Sequence, residues 1–206
     1  MINISHNMAA FERQLSDALR EQLPFALALA LNDAGQDAKE AVEDHMDRAF
    51  DRPTPYTKRA LFMRRASKRR PTVEVAVKRV QASYLRRQAE GGIRTPEGAA
   101  LLVPVRQRLN RYGNLPRRAV RRVVARDDTF VASRSNRATR YLRPGIYKRK
   151  KVRGRPQSLE LLVAFADSAR YRPRFNMQEQ AERAFRRSFE RHLSTRLRQA
   201  WATRRR

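Results

Sequence analysis

From residue 176 to about residue 204, apolar side chains recur at every fourth position: Ala181, Phe185, Phe189, Leu193, Leu197 and Trp201. Met177, Ala184 and Ala200 widen this stripe, while Arg183, Arg186, Arg187, Arg191, Arg196 and Arg198 occupy the other faces. At about 100° per residue, a four-residue step drifts by about 40° per repeat, so the stripe wraps gradually around a helix. The start is well marked. Pro173 precedes it, Asn176 can cap it, and Glu179 stands three residues later, where its carboxylate can reach back to the cap's own N–H. Such a helix needs an apolar partner, and the rest of the chain has to supply it.

The N-terminal fifty residues have the matching pattern. Met8, Phe11, Leu15, Ala18 and Leu19 predict an amphipathic helix over residues 7–22. Pro24 suits the first position of a second helix, where its missing N–H would have no partner anyway. That helix runs to residue 50 on the stripe Leu27, Leu31, Ala34, Ala38, Ala41, Val42, His45, Met46 and Ala49, with Gly35 a weak point. Residues 25–31 are apolar on nearly every side. Burial between two layers is the plainer reading; contact with a second subunit through Phe25, Leu27, Leu29 and Leu31 is the sharper one. Leu197 and Trp201 are candidate contacts at the other end of the chain.

Between the helical ends the periodicity changes. The run 51–56 (DRPTPY) stops the helix. Residues 60–66 and 72–80 predict two strands around a basic turn holding Lys68, Arg69 and Arg70, with Val73, Val75 and Val77 alternating as a half-buried antiparallel strand requires. A short helix over 82–90 closes at Gly91-Gly92. Residues 99–103 predict a strand, Pro116 opens a helix carrying Ala119, Val120, Val123 and Val124, and Asp127-Asp128 end it. Further strands are expected at 129–133, 141–147 and 158–166. Two basic loops separate them, one with Arg134, Arg137 and Arg140, the other with Lys148, Arg149, Lys150, Lys151, Arg153 and Arg155. The fold class is α+β: an antiparallel sheet with two N-terminal helices and one long C-terminal helix packed against it. A single domain over 1–206 is expected, helical to residue 50, mainly β over 51–167 and helical again over 176–204.

The formal charge is +27, and it is uneven. Residues 1–50 hold nine acids against four bases (4 − 9 = −5), which leaves +32 for residues 51–206. Such a surface is drawn to polyanions, nucleic acid above all, or to acidic protein surfaces. Cysteine is absent, so disulfides, thiolate metal sites and cysteine nucleophiles are excluded. No apolar run approaches the roughly 18 residues of a membrane span, and a soluble, unprocessed chain without membrane association is expected. His6, His45 and His192 are scattered, and phosphate-loop, nucleophile-elbow, dinucleotide-binding and zinc-ligand spacings are all missing. Glu40, Glu43, Asp44 and Asp47 share a helical face that reads as a solvated or ion-paired stripe more readily than a magnesium site. Tyr141, Tyr147 and Tyr171 stand among basic residues as a stacking platform would, or as ordinary sheet aromatics do. No catalysis, cofactor or metal is expected.

The passage PGIYKR (144–149), followed by LELLVAF (159–165), YRPRF (171–175) and the long terminal helix, resembles the C-terminal half of tail-completion and neck proteins of tailed phages, typified by the minor tail protein Z family of lambdoid phages. The N-terminal half is similar too, with ALALALNDAGQDAKEAV (26–42), an exit at FDRPTPYTKRALF (50–62) and a hairpin. The resemblance implies a structural virion protein, made in the host cytoplasm and incorporated at the neck. It would join tail to head as a homo-oligomeric ring around the DNA channel, with a hexamer as one candidate. Its partners would be neighbouring neck and tail proteins, with genomic DNA within reach of the basic loops. A free-standing DNA- or RNA-binding protein is the alternative.

Overall fold

The computed structural model describes residues 17–150 and 158–202, with side chains from residue 22 onward. The chain packs as two compact units, one formed by the chain up to Glu90 together with the chain from Pro173 onward, the other by Gly91–Arg172. Both mix helix with antiparallel sheet.

In the first unit, α1 (Asp17–Ala49) runs unbroken through Pro24. This corrects the expected boundary between two helices near residue 23; the remainder of the expected 7–22 helix lies outside the described residues. An interior proline forfeits one backbone bond at a cost of about 3 kcal/mol in an isolated helix. Here the flanking turns are held from outside, since Leu23, Ala26, Leu27, Ala28, Ala30 and Leu31 are all buried. Two layers cover them: the antiparallel hairpin β1 (Leu61–Arg64) with β2 (Glu74–Val77), and the C-terminal helix α5 (Met177–Ala202). Between α1 and the hairpin lies a short helix α2 (Pro55–Lys58), absent from the sequence reading and capped by the Thr54 hydroxyl. Asn32 locks the hairpin to α1, donating to the Ala66 carbonyl (3.1 Å) and accepting from the Ala66 N–H (2.7 Å).

Gly35 faces this hairpin. A β-carbon there would stand 2.5 Å from Val73 Cγ2 and 3.0 Å from Met63 Sδ. Gly35→Ala gains about 1 kcal/mol of helix propensity, yet the stiff Val73 side chain cannot easily yield, and overpacking costs about 1–3 kcal/mol. The expected result is a net loss of about 1 kcal/mol in a urea titration, recovered when Val73→Ala is added. A stabilised single variant would contradict the close approach.

α3 (Arg79–Glu90) closes this part of the unit, and the chain leaves it through Gly91 and Gly92 at φ of 76° and 106°, the left-handed exit expected of that pair. On returning at Pro173, the chain is clamped to the end of α3. The N–H groups of Arg174 and Phe175 both donate to the Gln88 carbonyl, and Arg174 Nε donates to Gln88 Oε1 (2.7 Å). Phe175 is thereby driven into the core, its ring 5.7 Å from His45 and 5.2 Å from Phe50. At the start of α5 the Asn176 amide donates to the Glu179 carboxylate (2.6 Å), an exchange between the two residues expected to form the cap. The stripe of α5 is covered by α1 and the Phe175 cluster, through Ala181, Phe185 and Phe189, rather than by one sheet drawn from residues 60–166.

Among the described residues the expected single sheet is in fact three. Besides the hairpin there are β3 (Gly92–Arg94) with β8 (Ala169–Tyr171), which the sequence reading missed, and a four-stranded antiparallel sheet in the order β4-β7-β6-β5. Its strands are β4 (Leu101–Pro104), β5 (Thr129–Ala132), β6 (Gly145–Lys150) and β7 (Ser158–Ala166). β6 starts at Gly145 rather than near residue 141, because residues 133–142 form successive turns bonded to one another. One face of the sheet is closed by α4 (Ala119–Val124), whose Val120 and Val123 pack on Ile146, Leu162, Val163 and Phe165. The Thr129 hydroxyl, bonded to the Val123 carbonyl (2.6 Å), ties α4 to β5.

Candidate interaction surfaces

A polar seam fixes how α1 and α5 lie against each other. Asp33 accepts from Arg196 Nε (2.6 Å), and Asp37, one turn on, meets His192 Nε2 (2.8 Å) and Arg191 (3.5 Å). Carboxylates four apart on one helix opposite bases four apart on the other define an antiparallel register. The solvated or ion-paired stripe expected at Glu40, Glu43, Asp44 and Asp47 did not extend to Asp33 and Asp37, whose pairing with α5 the sequence does not reveal. Burial by itself would raise the Asp37 carboxyl, but the hydrogen bonds from His192 and Ser188 and the charges of His192 and Arg191 outweigh it and hold it below the ordinary carboxylate value. A depressed carboxylate stabilises the fold above its unfolded value and loses that contribution as pH falls through about 4 and below. Asp37→Asn is therefore expected to melt earlier than the parent at pH 6, with the gap closing in acid. A gap independent of pH would remove the charge-based account.

This register brings residues 22–29 of α1 beside residues 196–200 of α5. A groove of about 360 Å³ opens there, walled by Phe25, Ala26, Leu29, Lys68, Arg196 and Ala200. Phe25 is 49% exposed, with the Lys68 ammonium 5.3 Å from its ring centroid. Trp201 follows at 58% exposure, and Leu29 and Leu197 are half-buried. Leu27 and Leu31 belong to the core of their own unit. Two of the predicted contact residues, Phe25 and Leu29, thus share one apolar groove with the basic turn residue Lys68. A second groove of about 680 Å³ lies between α3 and the start of α5, floored by Leu85, Ala89, Phe175 and Met177. Its rim charges pair among themselves as Arg86–Glu90, Arg183–Glu179 and Arg186–Glu182.

The histidines and acids have structural surroundings. His45 stacks on Phe175, and its buried Nε2 has no hydrogen-bond partner. His6 lies outside the described residues. Glu43 pairs with Lys39 and Asp47 with Lys58, while Glu40 accepts from Gln36. Among the described residues no three His, Asp or Glu side chains stand together as a metal-ligand set. No helix among them is long and apolar enough to cross a membrane.

The second unit concentrates positive charge. Residues 91–172 contain 21 Lys and Arg against five acids (21 − 5 = +16 of the total +27). The basic residues expected to face a partner are partly neutralised here. Lys150 pairs with Glu160 (3.3 Å), Lys148 with Asp128 (3.7 Å) and Arg134 with Asp167 (3.3 Å). Arg149 lies over the Phe130 ring at 4.7 Å. Arg137 and Arg140 are exposed here, as are Arg69 and Arg70 in the first unit; Lys151, Arg153 and Arg155 lie outside the described residues. Of the three tyrosines, Tyr147 is buried against Phe130 with its hydroxyl donating to the Arg143 carbonyl, Tyr171 is half-buried in β8, and Tyr141 is 77% exposed.

Residues 106–114 read from the sequence as turn-rich and basic, but residues 106–126 were not among the expected partner-facing loops. Eight arginines fall in this stretch without a lysine, histidine or acid among them. Four of them, Arg108, Arg111, Arg122 and Arg126, line a cleft of about 530 Å³ between the loop 107–116 and α4. The signal was the absence of acids, which a count of basic loop tips does not register. No family model, no curated protein and no solved structure matches this chain.

Proposed function

We propose that this protein is a structural component of a tailed-bacteriophage virion, a subunit of an oligomeric ring at the neck that completes the tail and joins it to the head. The observation that carries the reading is the order of elements in the C-terminal half. PGIYKR leads into β6, LELLVAF forms β7, and YRPRF runs from the end of β8 to Phe175 and α5. The passages that carry the resemblance are thus the framework of both units. The groove at Phe25, Leu29 and Ala200 supports the reading as well, because a subunit that works by contact needs apolar surface beyond its own core. Its partners are further copies of itself, with a hexamer as one candidate, and adjoining neck and tail proteins. It acts as a scaffold without cofactor, in the virion and, during assembly, in the host cytoplasm.

The test is deletion of the gene from its phage, followed by electron microscopy of the lysate. Separate filled heads and free tails are expected, with the protein present in purified parent particles. Normal particles made without it would overturn the reading. The +16 charge of the second unit favours the alternative, a free-standing DNA- or RNA-binding protein, which predicts affinity for nucleic acid with no assembly defect.

A further inference from the structure

We propose that the arginine cleft between the loop 107–116 and α4 binds the phosphate backbone of duplex DNA. The inference stands on the second unit alone and does not require a role in the virion. Its walls are Arg108 and Arg111 on the loop and Arg122 on α4, over a floor of Pro116, Ala119 and Val123. Arg126 completes the lining but already donates from Nε and Nη2 to Asp128 (2.9 and 2.7 Å). By contrast, no carboxylate among the described residues lies within ion-pair distance of Arg108, Arg111 or Arg122. Unpaired guanidinium groups gathered on one surface repel each other, and an anion in the cleft relieves that repulsion. The planar two-pronged donor of arginine matches a phosphate's oxygens in particular.

The loop is already shaped for the task. Asn110 Oδ1 accepts from the N–H groups of Tyr112 (2.9 Å) and Asn114 (3.0 Å), and Gly113 takes φ of 73° with its N–H on the Asn110 carbonyl. Arg111 packs over the Tyr112 ring at 4.7 Å. These bonds fix the backbone of the loop tip, so its ordering need not be supplied on binding. At the entry to α4, Arg118 adopts φ of 63°, a left-handed conformation that costs a non-glycine residue about 1–2 kcal/mol. A large exposed aromatic, the usual anchor of a protein partner, is missing from the cleft lining, which favours the nucleic acid over an acidic protein. Backbone contacts of this kind carry no base sequence, so binding is sequence-independent.

The experiment uses the full chain, a fluorescent 30-base-pair duplex of random sequence, and anisotropy between 50 and 200 mM NaCl. The variant Arg108→Gln/Arg111→Gln/Arg122→Gln is compared with Lys148→Gln/Arg149→Gln/Lys150→Gln, which removes equal charge from β6. Each lost phosphate contact lowers the log–log salt slope by about 0.9, so the cleft variant should lose about 2.7 in slope and roughly a hundredfold in affinity. The β6 variant should lose less than about a third of that slope. The variant with lysine at the three cleft positions should recover most of the slope, which guards against a simple failure to fold. Equal losses in both glutamine variants would overturn the proposal, as would an unchanged cleft variant. Tighter cleft-dependent binding to a poly-glutamate peptide than to the duplex would assign the surface to an acidic protein and also overturn it.

Discussion

Phe175→Ala is expected to lower stability by about 3 kcal/mol, the near end of the 3–5 kcal/mol found for buried Phe-to-Ala changes. The phenylalanine is 2% exposed and joins otherwise separate parts of the first unit. Its ring lies against His45 of α1 and against Phe50 at the exit of α1, and its own N–H is bonded to Gln88 at the end of α3. Truncation therefore loosens the join between α1, α3 and the start of α5 together. Two features keep the loss from the top of the range. The groove floored by Phe175 is open, so water can occupy the vacated volume. That water could also reach His45 Nε2, which is buried without a partner while the ring is present. Urea unfolding followed by far-UV circular dichroism measures the change, because α1 and α5 supply most of the helical signal. Phe175→Leu should cost less than about 1.5 kcal/mol. A loss below 1 kcal/mol for alanine would mean that the clamp, not the ring, holds the unit.

The sequence reveals elements whose cause is local and hides those whose cause is distant. α5 could be read almost to its ends from a periodic stripe and a capping pair, and β7 over Ser158–Ala166 from a continuous apolar run. The break predicted at Pro24 failed because local proline chemistry was outweighed by burial of Leu23, Ala26, Leu27, Ala28, Ala30 and Leu31 between two layers. β3 and β8 escaped because three-residue strands that pair across 75 residues have no periodicity to display. The division of strands among three sheets is likewise a matter of pairing partners, which alternation does not encode. At the surface, Phe25 and Trp201 could be singled out because large apolar side chains beyond the needs of a core stripe stand out. Asp33 and Asp37 could not, because an acid facing solvent and an acid facing Arg196 or His192 look alike until the register is known. The arginine cleft was hidden in the same way: Arg108, Arg111, Arg122 and Arg126 are spread along the sequence and converge only when the loop folds back on α4.

The same contrast between local chemistry and distant packing gives the largest expected effect in the second unit, at Gly145. No unusual backbone angle requires glycine there; space does. A β-carbon on Gly145 would drive into the carbonyl oxygen of Val163, with Leu161 Cδ1 at 2.7 Å and Ala164 Cα at 3.3 Å. Leu161 could rotate away, but a strand carbonyl fixed in a ladder cannot. Gly145 is also paired with Ala132 on one side and Ala164 on the other, so β6 has no free direction in which to shift. The next residue, Ile146, is one of three buried sheet residues in the cluster that α4 caps with Val123, and the register already slips between Ile146 and Tyr147. Gly145→Ala should therefore reach the upper end of overpacking costs, about 3 kcal/mol, where most small-to-large changes cost less. Hydrogen exchange of the β6 and β7 amides reads this directly: protection should fall by about a hundredfold, since each 1.4 kcal/mol is a factor of ten. Val163→Ala does not relieve the contact, because the obstruction is backbone, so the double variant should be no more stable than the single one. Unchanged protection in Gly145→Ala would mean that the two central strands separate more freely than their pairing implies.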